Sequence, residues 1–104
     1  MRKLLVVVSV AAVAVTAFAV VPAQSATRGV SVKDNVFSPK SLSVSKRSTV
    51  KWSWKGQAPH NVTFRTVHSP TKRSGSYSLK FNRAGSFSYR CTIHPGMTGK
   101  IRVK

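Results

Sequence analysis

Three side chains that bind soft transition metals lie within seven residues near the end of the sequence. The segment YRCTIHPGM, residues 89–97, holds the only cysteine, Cys91, followed by His94 and Met97 at intervals of three. A proline and a glycine after the histidine prevent regular structure, so the segment can fold back as a loop and bring the three side chains together. Thiolate and thioether sulfur suit Cu(I), and imidazole suits copper in either oxidation state. The spacing therefore predicts a copper site.

A fourth ligand is expected from His60, which follows a proline in APHNVTF and opens a predicted strand. Zinc could use the same cysteine and histidines, but it has no use for a thioether. Haem attachment requires a second cysteine in a Cys-x-x-Cys-His motif. Taken singly, the cysteine could be a small apolar core residue and each histidine an ordinary turn residue. Their shared spacing favours the metal, whereas His68 has no such neighbours and is predicted to be a solvated loop residue.

The charge balance excludes most hydrolytic chemistry. The sequence has 18 lysine and arginine residues against one acidic residue, Asp34, and its formal net charge is +17. Glycosidases and aspartic proteases need two carboxylates, and calcium and magnesium sites need several. A Ser-His-Asp triad would have to use Asp34, which lies in the turn-like segment KDNVFSP with no nucleophile motif nearby. We therefore expect that the protein is not an enzyme.

Residues 1–26 are predicted to be a secretory signal peptide. Arg2 and Lys3 precede an apolar run over residues 4–21, and small and polar residues follow. The run is just long enough to span a bilayer, so an uncleaved membrane anchor stays open as an alternative. The possible last residues of the signal are Ala19, Ala23, Ser25 and Ala26. We expect an exported protein in the periplasm or at the cell surface, with residues 27–104 forming one domain stabilised by metal rather than by a disulfide.

The remainder of the sequence is predicted to form short strands. Apolar and polar residues alternate in seven runs, which predicts antiparallel sheets with one buried and one solvated face. Turn-forming segments such as NVFSPK separate the runs. The fold class is therefore predicted to be an all-β, Greek-key sandwich of about seven strands, with Trp52 and Trp54 in its core. The runs are GVSVK, SLSVS, TVKWSWKG, NVTFRTV, SYSLKF, SFSYRC and KIRVK.

The segment YRCTIHPGM, followed by TGKIRVK, resembles the C-terminal ligand loop of the blue copper proteins (cupredoxins) of the plastocyanin/azurin group. Its Cys-x-x-His-x-x-Met spacing is most similar to the amicyanin type. The segments DNVFSPKSLSVSKRSTVKW, PHNVTF and FNRAGSFSYRC also resemble strands and turns of that family, so the likeness covers roughly residues 29–104.

This resemblance implies a one-electron carrier that alternates between Cu(II) and Cu(I). It implies that His60, Cys91 and His94 bind one copper ion in a plane and that Met97 is a weak axial ligand. It further implies that Asn61 hydrogen-bonds across to the cysteine loop, and that His94 is the portal through which electrons enter and leave. The chain departs from the family at two positions of the loop. Ile93 replaces a common proline, and Gly96 replaces a bulkier residue often found before the methionine.

The positive charge is spread over almost every predicted strand and turn, which indicates a general positive field rather than one stripe. We expect an acidic redox protein as the partner and a monomeric carrier. Anionic lipid head groups and cell-wall polyanions are alternative partners. Nucleic acid is not expected as a partner, because the protein is predicted to be exported and its aromatic residues lie at inward-facing positions of the predicted strands. Two other functions stay open, namely copper sequestration without electron transfer and a metal-free module that binds polyanions.

Overall fold

The computed structural model describes residues 26–104, which contain seven β-strands. Nearly all of the predicted signal peptide lies outside the described residues, so its existence and its cleavage stay predictions. Within the described part of the chain, no helix has the length and apolar character needed to cross a membrane. The strands are β1 (Thr27–Lys33), β2 (Val36–Ser38), β3 (Ser41–Val44), β4 (Ser48–Trp54), β5 (Ser76–Phe81), β6 (Gly85–Arg90) and β7 (Thr98–Val103).

The strands form two sheets whose apolar faces meet. One sheet has the order β2-β1-β4-β5 and the other the order β3-β7-β6. This arrangement confirms the predicted all-β sandwich and its number of strands. The expectation of purely antiparallel pairing was wrong, since β1 runs parallel to β4 and β3 runs parallel to β7. Alternation along a strand reports which face is buried, and it carries no information on the direction of the neighbouring strand.

Two local predictions also differ from the structure. The segment NVTFRTV is not a strand, and β2 forms within the segment NVFSPK that was predicted to be a turn. Residues 60–72 instead form an irregular connection with two isolated bridges inside the segment and one from Thr63 to Arg90. The N–H of Val62 donates to the hydroxyl of Ser69 at 2.9 Å, so a side chain satisfies a backbone group that a strand would have paired in a ladder.

The two tryptophans of β4 lie in the core, as predicted. Trp52 is fully buried, and its ring meets those of Tyr89 and Phe64 edge-on, with centroids 5.4 and 5.8 Å away. Trp54 is also buried, and its indole N–H donates to the carbonyl oxygen of His60 at 3.2 Å. Burial of such large rings is a main source of stability in a domain of this size. The second tryptophan also ties the core directly to the backbone of a predicted ligand.

The strand that leads to Cys91 is held against the core through a close approach of Tyr89 to Gly99. These two residues face each other across β6 and β7, and the tyrosine ring occupies the space that a Cβ at Gly99 would need. Tyr89 also meets Phe37 edge-on, with centroids 4.7 Å apart. Burial raises the pKa of Tyr89 to about 12, against a smaller opposing effect of Trp52. A glycine at position 99 is therefore required for this packing.

We expect Gly99→Ala to lower the free energy of unfolding by about 1–3 kcal/mol, because the methyl group would overlap the Tyr89 ring in a well-packed core. Urea unfolding of the metal-free protein measures the change. The control is Gly29→Ala in β1, where the nearest atom to the new methyl group would be 3.9 Å away. That control should change the stability by less than about 1 kcal/mol. Equal losses in the two variants would contradict the packing argument.

Candidate metal centre

His60 is held in place from several sides. It exchanges two backbone hydrogen bonds with Lys72, both of 3.0 Å, and its carbonyl oxygen also accepts the indole N–H of Trp54. Its side chain is fully buried. A histidine that begins an irregular connection is thus fixed as firmly as a strand residue, because its backbone is tied to two other segments.

Cys91 follows the last residue of β6 and begins a tight loop that ends at Met97. The N–H of Cys91 donates to the carbonyl oxygen of Met97 at 2.9 Å, and the N–H of Met97 donates to that of His94 at 3.1 Å. Gly96 supplies a positive φ of 84° within this turn. Cys91 and Met97 are buried, whereas His94 is half-buried. The loop therefore closes on itself and brings the backbone of Met97 against those of Cys91 and His94.

Three donor atoms from two segments converge at this loop. The Nδ1 atoms of His60 and His94 are 3.1 Å apart, and Cys91 Sγ lies 3.5 Å from the His94 nitrogen and 3.8 Å from the His60 nitrogen. The point equidistant from the corners of such a triangle lies about 2.0 Å from each corner, close to the length of a metal–imidazole bond and slightly short of a metal–thiolate bond. The donor set thus fits a single transition-metal ion.

Asn61 joins the two segments that carry these donors. Its side-chain oxygen accepts the backbone N–H of Thr92 at 3.1 Å, and its amide group donates to the Thr92 hydroxyl at 2.8 Å. The amide also donates to the Thr71 hydroxyl at 3.0 Å, and the oxygen accepts the Thr63 hydroxyl at 2.8 Å. Thr92 is the residue after the cysteine, so this buried asparagine fixes the distance between the His60 segment and the cysteine loop.

The carboxylate of Asp34 contacts His60 at this centre. The sequence analysis did not predict that contact. Its Oδ1 accepts the Nε2 proton of His60 at 2.9 Å, and its carboxylate also accepts the backbone N–H groups of Gln57 and Ala58. The hydrogen bond from His60, followed by those from Gln57 and Ala58, lowers the pKa of Asp34 from its ordinary 3.8 to about 2. An ionised carboxylate can only accept, so the His60 proton resides on Nε2 and the lone pair on Nδ1 faces the other donors.

The approach of Asp34 depends on two local features. Asp34 and Asn35 form the two-residue turn between β1 and β2, and Asn35 has a positive φ of 68°, a conformation that asparagine tolerates in turns. The carboxylate occupies the space beside Gly56 where any Cβ would lie. The one signal in the sequence was that the chain has a single acidic residue, although nothing nearby in the sequence pointed to a histidine 26 positions away.

The third histidine stays apart from this centre. His68 is exposed, and its Nδ1 lies 3.0 Å from the carbonyl oxygen of the next residue, Ser69. It does not belong to the group of potential metal ligands within residues 26–104. Its placement agrees with the prediction of a solvated loop residue.

Comparison with known proteins gives consistent likenesses. No family model matches the sequence. The chain is 34% identical over 94 residues to amicyanin-alpha of Methylorubrum extorquens, covering 83% of this chain and 79% of that protein. It is 32% identical over 85 residues to plastocyanin of Scenedesmus fuscus, covering 66% of this chain and 87% of that protein. A solved reduced Cu(I) form of an amicyanin variant superposes with a TM-score of 0.70 at 30% identity, covering 75% and 82% of the two chains.

The free energy of unfolding of the metal-free protein should fall as the pH is lowered from about 4 to about 2. The pKa of Asp34 is lower in the folded protein, so the unfolded chain binds the proton more tightly and gains population over this interval. Urea unfolding at several pH values measures the effect. Asp34→Asn should remove this part of the pH dependence, and an unchanged slope in that variant would show that the bond to His60 is not its source.

Proposed function

The chain belongs to the blue copper proteins of the amicyanin type, and we propose from this premise that it carries single electrons outside the cytoplasmic membrane through one copper ion. The observation that carries the proposal is the triangle of two imidazole nitrogens and one cysteine sulfur, with sides of 3.1, 3.5 and 3.8 Å, inside the rim of a β-sandwich. Copper in such a site supplies a one-electron couple between Cu(II) and Cu(I).

His60, Cys91 and His94 would hold the copper ion, and we assign the Met97 thioether as a fourth, weaker ligand. Two imidazoles, a thiolate and a thioether are the donor set of electron-transfer copper sites, since they combine soft sulfur with nitrogen that suits both oxidation states. The burial of Met97 and its backbone bond with Cys91 support the assignment of the thioether. Zinc would leave that thioether without a role.

The part of the protein in this function is to hold the donors still. His60 is restrained by Trp54 and Lys72 through its backbone and by Asp34 through its ring. The cysteine loop is restrained by Asn61 through Thr92. Donors that keep their positions in both oxidation states need little rearrangement when an electron arrives or leaves. This rigidity distinguishes a carrier from a storage site, which gains little from it.

Electrons are proposed to pass through His94. Its ring is the one half-buried donor of the three, whereas His60 and Cys91 are shielded from solvent. Ile93, with 45% of its surface exposed, lies next to it, and Pro95 and Gly96 are exposed on the other side. A small, partly apolar surface around the His94 imidazole suits brief contact with a redox protein. The general positive charge would speed encounter with an acidic partner and would lose that effect at high salt.

The predicted signal peptide and the absence of a carboxylate pair complete the proposal. The protein is proposed to be exported, to acquire copper outside the cytoplasm, and to act as a monomeric carrier without turnover of a substrate. Copper sequestration would use the same ligands, but the two-sided restraint of His60 favours the carrier function.

The mature protein with Cu(II) should show an intense blue absorption band and a narrow copper hyperfine splitting in its EPR spectrum, because a thiolate binds the metal. Cys91→Ala should lose both signals. His68→Ala is the control, since this histidine lies outside the centre and its removal should leave both spectra unchanged. A pale band with ordinary hyperfine splitting in the unmodified protein would mean a nitrogen and oxygen site, and the function would then be sequestration.

Asp34→Asn should raise the reduction potential by an amount on the order of tens of millivolts, because a carboxylate that accepts the Nε2 proton of His60 makes its ring a stronger donor to Cu(II). Voltammetry of the copper-loaded protein measures the shift. The control is Lys33→Gln at the neighbouring, exposed position. It also changes the charge by one, but in the opposite direction. A larger shift in the control than in Asp34→Asn would refute the role of the carboxylate.

A further inference from the structure

The outer face of the sheet β3-β7-β6 carries an ordered column of cations. The central strand, β7, exposes Lys100 and Arg102 on this face, and the exposed Lys104 continues the column after the strand ends. The strand register places a serine on each side of Lys100 and of Arg102. These exposed serines are Ser41 and Ser43 on β3, and Ser86 and Ser88 on β6. The cationic column (Lys100, Arg102 and Lys104) is thus flanked by two rows of hydroxyl groups.

One end of this face is concave and even more basic. A groove of about 830 Å³ lies there, and its lining includes the cations Lys40, Arg65, Arg90 and Lys100. The only acidic side chain of the sequence, Asp34, is absent from the lining and bonds to His60 instead. An anion on this face would therefore meet donors and positive charge without a competing acidic side chain. Positive charge occurs over the whole molecule. This face differs because its cations are regularly spaced along one strand between two rows of serines.

Strands β3, β6 and β7 expose none of the large hydrophobic anchors that protein partners and nucleic acids use. Interfaces between proteins depend on a few aromatic or large apolar side chains, and single-stranded nucleic acids stack on aromatic rings. The exposed large hydrophobic residues within residues 26–104 are Val36, Val67 and Ile93, none of which lies on β3, β6 or β7. Phe64 and Tyr89 form an apolar floor of the groove, where Phe64 is half-buried and its ring also packs against Trp52. Outside the floor of the groove, the cationic column and its serine rows fit a hydrated ligand held by charge and hydrogen bonds.

We propose that this face binds a linear anionic polymer that carries a phosphate in each repeat. Alternate residues of a strand are about 6.6–6.8 Å apart, so the column presents a positive charge at that interval. A poly(glycerol phosphate), in which three carbons separate successive phosphates, has charges at a similar interval. Lysine and arginine pair with the phosphates, and the flanking serine hydroxyls donate to their free oxygens. None of residues 91–97 lines the groove, although Arg90 and Thr98, which lie on either side of that loop, do.

Binding of the polymer to the cationic column is expected not to depend on the metal. Fluorescence anisotropy with labelled poly(glycerol phosphate) tests it, with both copper-loaded and metal-free protein. The affinity should fall linearly with salt on logarithmic axes, because binding releases counterions. The triple variant Lys100→Thr, Arg102→Thr and Lys104→Thr should bind at least about tenfold more weakly. Threonine is used because it keeps the strand propensity.

The matched control removes the same number of charges from exposed positions on three strands of the other sheet: Lys33→Thr, Lys51→Thr and Lys80→Thr. Its affinity should stay within about threefold of the unmodified protein. Circular dichroism and the copper spectrum of both triple variants establish that they fold.

Three outcomes would overturn the proposal. Equal losses in the two triple variants would mean that net charge alone drives binding. Tighter binding to vesicles of phosphatidylglycerol, with the same dependence on the cationic column, would assign the face to a membrane. Tighter binding to polyglutamate would assign it to an acidic protein segment.

Discussion

The hydrogen bond between Asp34 and His60 decides how the centre is built. A fully buried imidazole must place its proton on one nitrogen, and the carboxylate at 2.9 Å assigns that proton to Nε2. Only then is Nδ1 free to face the nitrogen of His94 and the sulfur of Cys91. The bond in turn needs a turn that points Asp34 inward and a glycine at position 56 that leaves room for it. Three separate places along the chain, namely the turn at Asp34, Gly56 and His60, therefore meet in one contact.

The sandwich supports this contact without disulfides. Its single cysteine is a predicted ligand, so the domain relies on aromatic packing and on hydrogen bonds between loops. Trp54 illustrates how the two are connected, since its ring is part of the core while its N–H holds the carbonyl oxygen of His60. Tyr89 does the same for β6, because its packing over Gly99 sets the position of the strand that ends beside Cys91. Side chains of the core thus also fix the segments that carry the predicted ligands.

The surface divides into regions with different chemistry. The end around His94 presents Ile93 and little charge of its own, which suits a brief electron-transfer contact. The outer face of the second sheet presents the cationic column and its serine rows. Under the proposed role of the second region, the carrier would be attached through that face and would exchange electrons through His94. The strong positive charge then serves attachment as well as encounter.

The sequence by itself determined the elements with local signatures. The spacing of Cys91, His94 and Met97 within one loop predicted their meeting, because a proline and a glycine force that loop to close. Alternation predicted most strands and the buried tryptophans, since burial on one face leaves a period of two in the sequence. The family followed from the same motifs. These features depend on residues that are close together in the sequence, so the sequence alone predicts them.

Only the tertiary structure decided what depends on distant segments. The parallel pairing of β1 with β4, the failure of NVTFRTV to form a strand, and the contact of Asp34 with His60 all involve residues far apart in sequence. The cationic column likewise follows from the register of β7 between two serine-bearing strands, although its members are unremarkable lysines and an arginine in the sequence. Alternation specifies a face but neither a neighbour nor a register, and both are chosen by the packing of the whole domain.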